Sequence, residues 1–235
     1  MTYDYIIVGG GSAGCVLAAR LSEDANSKVL LLEAGGPDRN ILFHIPAGFA
    51  KMTKGIASWG YETVPQIHMQ NRVFRYTQAK VIGGGSTINA QLYNRGNKLD
   101  FNEWRQFGNE GWAYDDVLPY FKKAEDFERG ADEFHAVGGP LAVSDPRANL
   151  PICEAFFKAG EELKIPRNHD FNGASQDGLG YYQMTQKNAR RTSTATAYLK
   201  PARHRKNLTI CQNVQTARFI VAANHVRGVE LLNGE

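Results

Sequence analysis

Charge of one sign, clustered cysteines and long apolar runs are all scarce in this 235-residue chain, and each scarcity closes off a class of function. The 27 Lys and Arg against 24 Asp and Glu leave a net charge of +3, dispersed along the sequence. Phosphate backbones and anionic membranes are held by clustered cations, so nucleic acid is not an expected partner. The three cysteines, Cys15, Cys153 and Cys211, lie far apart with no CxxC or Cys/His ligand spacing, which argues against structural zinc and fits reduced thiols. No run reaches the roughly 18 apolar residues that a membrane span needs. Met1-Thr2-Tyr3-Asp4 passes into an apolar strand without the regions of a signal peptide, so a soluble, cytoplasmic protein is expected. Composition is otherwise ordinary for a globular chain, at 43% hydrophobic and 22% charged, which excludes a disordered or collagen-like protein. The length allows one to two domains at roughly 150 residues each.

Glycine, at 24 residues, is the one excess, and its placement organises the chain. Tyr5-Ile6-Ile7-Val8 is a β-branched run ending in Gly9-Gly10-Gly11, and Val16, Leu17 and Leu21 then recur at helical spacing. Lys28 to Glu33 is apolar without alternation, as in a parallel strand covered on both faces. Residues 5–33 therefore read as one βαβ unit. From Ala34 to about Gln78 the pattern dissolves, and a stretch that long implies an extension lying over a ligand. Lys80-Val81-Ile82 leads into a second glycine turn, Gly83-Gly84-Gly85, with a helix expected to start over Thr87 to Leu92. Helices are expected over Asp115 to Phe127 and over Ile152 to Leu163, the second preceded by Pro151. Thr192 or Ser193 is a candidate cap for a short helix through Leu199. Leu208 to Ile210, Ala217 to Ala222 and Val226 to Leu232 are strand-like, and Asn233-Gly234 is a two-residue hairpin signal. No returning strand follows it, so the sequence reads as a fragment or as one chain of a larger assembly.

Gly9-x-Gly11-x-x-Gly14 sits between a strand and a helix, and Glu33 ends the next strand 19 residues beyond Gly14. That context raises a weak motif to a dinucleotide fingerprint. Glycines admit a pyrophosphate, the helix N-terminus offers N–H donors, and Glu33 can accept from a ribose hydroxyl pair. A carboxylate there argues against a 2′-phosphate. The fingerprint alone serves NAD and FAD alike.

The second turn separates them by resemblance. Residues 5–14, Leu32-Glu33-Ala34-Gly35 and above all Ala79-Lys80-Val81-Ile82-Gly83-Gly84-Gly85-Ser86-Thr87-Ile88-Asn89 resemble the glucose-methanol-choline (GMC) oxidoreductases, FAD-dependent alcohol oxidases and dehydrogenases. Tyr93-x-Arg95-Gly96, Gly111-Trp112 and the segment from Arg191 to Leu208 with its Asn-Leu-Thr agree, so the resemblance runs along essentially the whole chain. It implies an α/β fold: a Rossmann-like FAD-binding domain with an inserted α+β substrate-binding domain, truncated at residue 235. The expected divisions are 1–130 for the FAD-binding domain with its covering extension, 131–203 for part of the substrate domain, and 204–235 for an incomplete return.

Carried over residue by residue, the resemblance implies that Gly9, Gly11, Ser12, Ala13 and Gly14 hold the FAD diphosphate, while Glu33, with Ala34 beside it, holds the adenosine ribose. Trp59 belongs to the covering extension. Gly83, Gly84, Ser86, Asn89 and Ala90 are placed along the ribityl chain and flavin, and Thr216 stands where the family usually has a valine meeting adenine through its backbone. Ile88 replaces the histidine through which some members attach FAD, so the cofactor is expected to be non-covalent. The family's second signature and its C-terminal catalytic histidine have no match here, so no catalytic residue is assigned.

His44, His68, His135, His169, His204 and His225 are scattered, and none stands in a strong catalytic context; His169, between Asn168 and Asp170, reads as a self-capping loop. Arg190-Arg191 reads as a solvated pair at a helix start. The implied reaction is alcohol oxidation, with hydride passing to flavin N5 and the base supplied by a missing segment or second polypeptide. The alternatives are a non-catalytic FAD-binding fragment or subunit, an NAD-dependent dehydrogenase and a flavin-containing hydroxynitrile lyase.

Overall fold

The structure, a computed structural model, describes residues 2–52, 55–148 and 150–234. They form two compact units, one holding the described residues up to Ala90 together with those from Arg191 onward, the other Gln91–Arg190. The divisions thus fall after residues 90 and 190 rather than after 130 and 203. Pairing explains the shift. Leu92–Tyr93 is bonded antiparallel to Gln183–Met184, and Asn172 accepts from Arg95 N at 2.7 Å while donating to Tyr93 O at 3.1 Å. Residues just past 90 are therefore tied to the later part of the same unit. Arg191 is claimed by the first unit, its backbone N–H donating to His44 O at 3.0 Å.

The first unit is built on the expected βαβ. Strand β1 (Tyr5–Val8) and strand β2 (Val29–Glu33) are parallel, with Tyr5 opposite Val29, and helix α1 (Ser12–Leu21) joins them. A third parallel strand, β3 (Leu208–Gln212), pairs with the other side of β2, Leu208 opposite Val29 and Gln212 opposite Glu33. Central β2 is buried at Val29, Leu31, Leu32 and Glu33, which accounts for its unbroken apolar sequence. Asn207 holds the return: its side-chain amide donates to Ser22, Asp24 and Ser27 carbonyls at 3.2, 2.9 and 2.8 Å. It thus satisfies the backbone of the turn between α1 and β2 just before β3 begins.

Close packing of α1 on β1 depends on Gly14. A Cβ there would lie 1.9 Å from Gly9 O, and Gly9 itself has φ +97°, so the turn requires both glycines. The extension after Ala34 is more ordered than its sequence pattern. Short helical turns at Ile41–Phe43, Pro46–Gly48 and Phe49–Met52 place Phe43 and Met52 against Val81 and Ile88 in a small buried core. A short antiparallel ladder, Tyr61–Glu62 with Arg75–Tyr76, follows. The helix expected over Thr87 to Leu92 is a single turn, Gly85–Ile88, because Asn89 is extended.

The unit ends in an antiparallel pair, β4 (Thr216–Ala222) and β5 (His225–Leu231). Its turn is Ala223-Asn224, both left-handed at φ +49° and +59°, an arrangement that matches strand twist and that lacks the glycine which marks such turns in sequence. Asn233-Gly234 does form a turn, with Gly234 N donating to Leu231 O at 3.0 Å.

In the second unit, the expected helices are Tyr114–Ala124, shortened because Glu125–Phe127 is a strand paired in parallel with Leu141–Val143, and Pro151–Glu162. Its centre is ionic. Glu125 accepts from Arg95 Nη2 at 3.1 Å and meets His135 Nδ1 at 3.0 Å, while His135 Nε2 meets Asp170 at 2.9 Å. Burial alone would lower the His135 pKa, but its bonds to Asp170 and Glu125 outweigh that and raise it to about 9. Burial would raise Asp170, yet the His135 bond holds it below the usual carboxylate range.

Two outcomes follow from this packing. Gly14→Ala should destabilise the protein by about 1–3 kcal/mol in denaturant titrations, since neither α1 nor the β1 turn can yield without losing its packing. Because folding raises the His135 pKa, its stabilising contribution is complete below its unfolded value of 6.5 and is lost as pH rises through about 9. Unfolding free energy measured across that window should decline with pH in the native sequence, and the decline should flatten in His135→Gln.

Candidate functional site: a cavity between two glycine turns

A cavity of about 450 Å³ opens in the first unit where four distant stretches converge: residues 8–12, 32–34, 78–85 and 214–216, with Trp59 forming one wall. Of the residues singled out from the sequence, Gly9, Gly11, Ser12, Glu33, Ala34, Trp59, Gly84 and Thr216 line it. Ala13, Gly14, Gly83, Ser86, Asn89 and Ala90 do not line this cavity. Gly14 serves α1 packing. The Ser86 hydroxyl is directed into the turn, donating to Gly83 O at 2.6 Å and bonding Thr194 Oγ1 at 2.9 Å.

Three backbone contacts bind the stretches together. Glu33 is buried, and its two carboxylate oxygens accept from Gly10 N at 2.6 Å and Gly35 N at 2.7 Å. Gly83 N donates to Gly10 O at 2.7 Å, so the second glycine turn rests on the first. A Cβ on Gly84 would come within 2.7 Å of Gly11 Cα, which shows how close that approach is. Each Glu33 oxygen retains a further lone pair for a ligand hydroxyl.

The cavity suits a dinucleotide on four grounds. Gly11 has φ −74°, and a Cβ there would meet no protein atom within 4 Å, so packing does not require its glycine. Its missing side chain instead leaves the cavity open at that point. Gly11 caps α1 without a side-chain bond, and no acidic residue occupies the first turn, so the N-terminal amides of a ten-residue helix are left to an anion. Thr216, on the wall, has a buried Oγ1 that makes no hydrogen bond to any described residue. Trp59 is stacked on Tyr61 at 5.8 Å and carries Lys80 Nζ 4.4 Å over its ring, presenting a braced aromatic wall.

Arg191 is the residue that sequence reasoning placed in solvent and the structure places in the interior. Its Nε donates to Phe43 O at 3.0 Å and its Nη1 to Ser86 O at 3.2 Å and Asn89 Oδ1 at 2.6 Å. Burial alone lowers its pKa, to about 10. Thr194 and Ala195, in the same segment, back the second glycine turn. Residues Ala195–Leu199 form a π-helical turn instead of the expected ordinary helix. His135, one of the six scattered histidines, is buried in the ion network described above. A separate polar cavity of about 310 Å³ in the second unit runs beside Arg95–Lys98 and residues 171–177, and none of the expected site residues lines it.

These features define a dinucleotide-binding α/β unit with two glycine turns. The GMC oxidoreductase family model matches residues 3–235, and the chain belongs to that family. It is 46% identical over 241 residues to oxygen-dependent choline dehydrogenase of Yersinia pestis, a match covering 100% of this chain and 42% of that protein. The same enzyme of Ectopseudomonas mendocina is 45% identical over 99% of the chain. Among solved structures, pyridoxine 4-oxidase from Mesorbium loti superposes with a TM-score of 0.94 at 36% identity, covering 99% of this chain and 47% of that one. An FAD-dependent oxidoreductase from Chaetomium thermophilum gives 0.91 at 30%, covering 98% and 42%. The chain therefore spans less than half the length of these relatives. No helix among the described residues is long and apolar enough to cross a membrane.

Gly11→Ala separates binding from folding. Its unfolding midpoint should match that of the native sequence, while affinity for FAD falls at least tenfold, about 1.4 kcal/mol, by fluorescence titration of the apoprotein. Glu33→Ala should lower both, because it strands two buried amide donors at about 1–3 kcal/mol each.

Proposed function

We propose that this chain holds FAD non-covalently for the oxidation of an alcohol. The observation that carries the reading is the cavity between the two glycine turns, lined by the open N-terminus of α1 and by Glu33. The α1 amides and Ser12 would bind the diphosphate, and Glu33 the adenosine ribose. Gly11 leaves room for close approach, Trp59 would cover the cofactor, and Thr216 closes the wall where its backbone would meet the adenine. Asn89 and Ala90 would follow the ribityl chain and flavin. Bound FAD supplies a two-electron acceptor for hydride at N5. Ile88 offers no nucleophile for a covalent link.

The first unit is the FAD-binding part in this reading, and the second contributes part of the substrate wall. The proton-accepting base is supplied from outside residues 1–235. In support, no histidine lines the cavity; His44 Nε2 is bonded to Asp38 O at 2.8 Å, His135 is engaged by two carboxylates, and His225 is bonded to Ala223 O. The likeness to choline dehydrogenases makes choline the first alcohol to test.

The holoprotein should release one equivalent of FAD on denaturation, leaving the polypeptide mass unchanged. Anaerobic addition of choline or a simple primary alcohol should bleach the flavin absorbance. Released NAD in place of flavin would establish the nicotinamide reading instead. Stoichiometric FAD that no alcohol reduces would establish a binding role alone.

A further inference from the structure

Two arginines of this protein are almost wholly buried, and they are treated differently. Arg95 is 5% exposed and is paired with Glu125 at 3.1 Å. Arg191 is 3% exposed, and its side-chain partners among the described residues are two backbone carbonyls and the neutral Asn89 side chain, with no carboxylate. Its Nη2 is buried and makes no hydrogen bond to any described residue. A buried charge without a counterion costs several kcal/mol after relaxation, and a protein that pairs Arg95 so fully has the means to pair Arg191.

Where Arg191 points its donors is the second observation. Ser86 and Asn89 belong to the second glycine turn, the stretch read above as following the ribityl chain and flavin, and Phe43 is part of the small core beneath it. The uncompensated cation is thus fastened to the turn itself. A hydride carries two electrons and a proton, so its transfer leaves the flavin one negative charge richer. A fixed positive charge in a low-dielectric surround favours that product over the neutral oxidised form.

We propose that Arg191 is a cofactor-positioning cation: its guanidinium fixes Asn89 and the second glycine turn, and its uncompensated charge stabilises the anionic reduced flavin. The proposal rests on the FAD reading above and adds to it a residue and a redox consequence. Arg191 acts without touching the alcohol.

The test is the midpoint potential of the flavin in the purified holoprotein, by reductive titration against a reference dye, with flavin content measured beside it. Arg191→Met should shift the reduction equilibrium at least tenfold toward the oxidised form, about 30 mV for a two-electron couple. Arg191→Lys, which keeps the charge and loses the fork, should stay near the native potential. Asn89→Asp places a carboxylate against the unmoved guanidinium and should lower the potential as Arg191→Met does, which decides the matter should the Met variant fail to fold. An unchanged potential in Arg191→Met or Asn89→Asp overturns the proposal, as do equal shifts in the Lys and Met variants, which would assign a purely steric role. Absence of flavin from the native protein is a different result and overturns the FAD reading itself.

Discussion

The Glu33 carboxylate is the clasp on which the site depends. It ends the central strand, lies buried, and accepts backbone N–H groups from Gly10 on one side and Gly35 on the other. Gly10 in turn accepts Gly83 N, and Val214 N donates to Glu33 O, so four stretches separated by up to about two hundred residues meet around one acidic residue. Charge-assisted bonds to backbone amides contribute roughly 1.5–3 kcal/mol each, which is large for a fold whose total margin is of order ten. The same residue keeps lone pairs for a ligand. In the proposed complex structure and binding would thus be coupled at one atom pair, and a change at Glu33 would be felt as both.

What was legible in the sequence was whatever rests on neighbours in the chain. The β1–α1–β2 unit, with α1 running over Ser12–Leu21, follows from apolar spacing and from a glycine turn whose geometry is local. Glu33 was legible because its distance from Gly14 is set by the length of one helix and one strand. The eight expected residues on the cavity wall come mainly from such stretches.

What was hidden rests on partners far away. Arg191 reads as half of a solvated pair because nothing near it is apolar in a telling pattern; its meaning lies in Phe43, Ser86 and Asn89, more than a hundred residues earlier. His135 reads as one of six scattered histidines until Glu125 and Asp170 close on it. Ser86 carries the right hydroxyl in the right motif, yet its oxygen is consumed by Gly83 and Thr194, a competition that no motif records. The Ala223-Asn224 turn escaped because backbone twist, not a glycine, selects it. The extension after Ala34 has no period because its order comes from Phe43 and Met52 packing against residues past 80.

Charge is distributed with the same economy. Among the described residues no Lys or Arg lines the cavity, so in the proposed complex the diphosphate would meet the partial charge of the α1 N-terminus and the backbone amides around it, with Lys80 held over the Trp59 ring on the wall. Arg191, a buried cation with no carboxylate partner among the described residues, is fastened to the other turn. A dipole that fades within a helical turn and a monopole that reaches further are suited to different tasks: the first to anchoring a group that never changes charge, the second to biasing one that does.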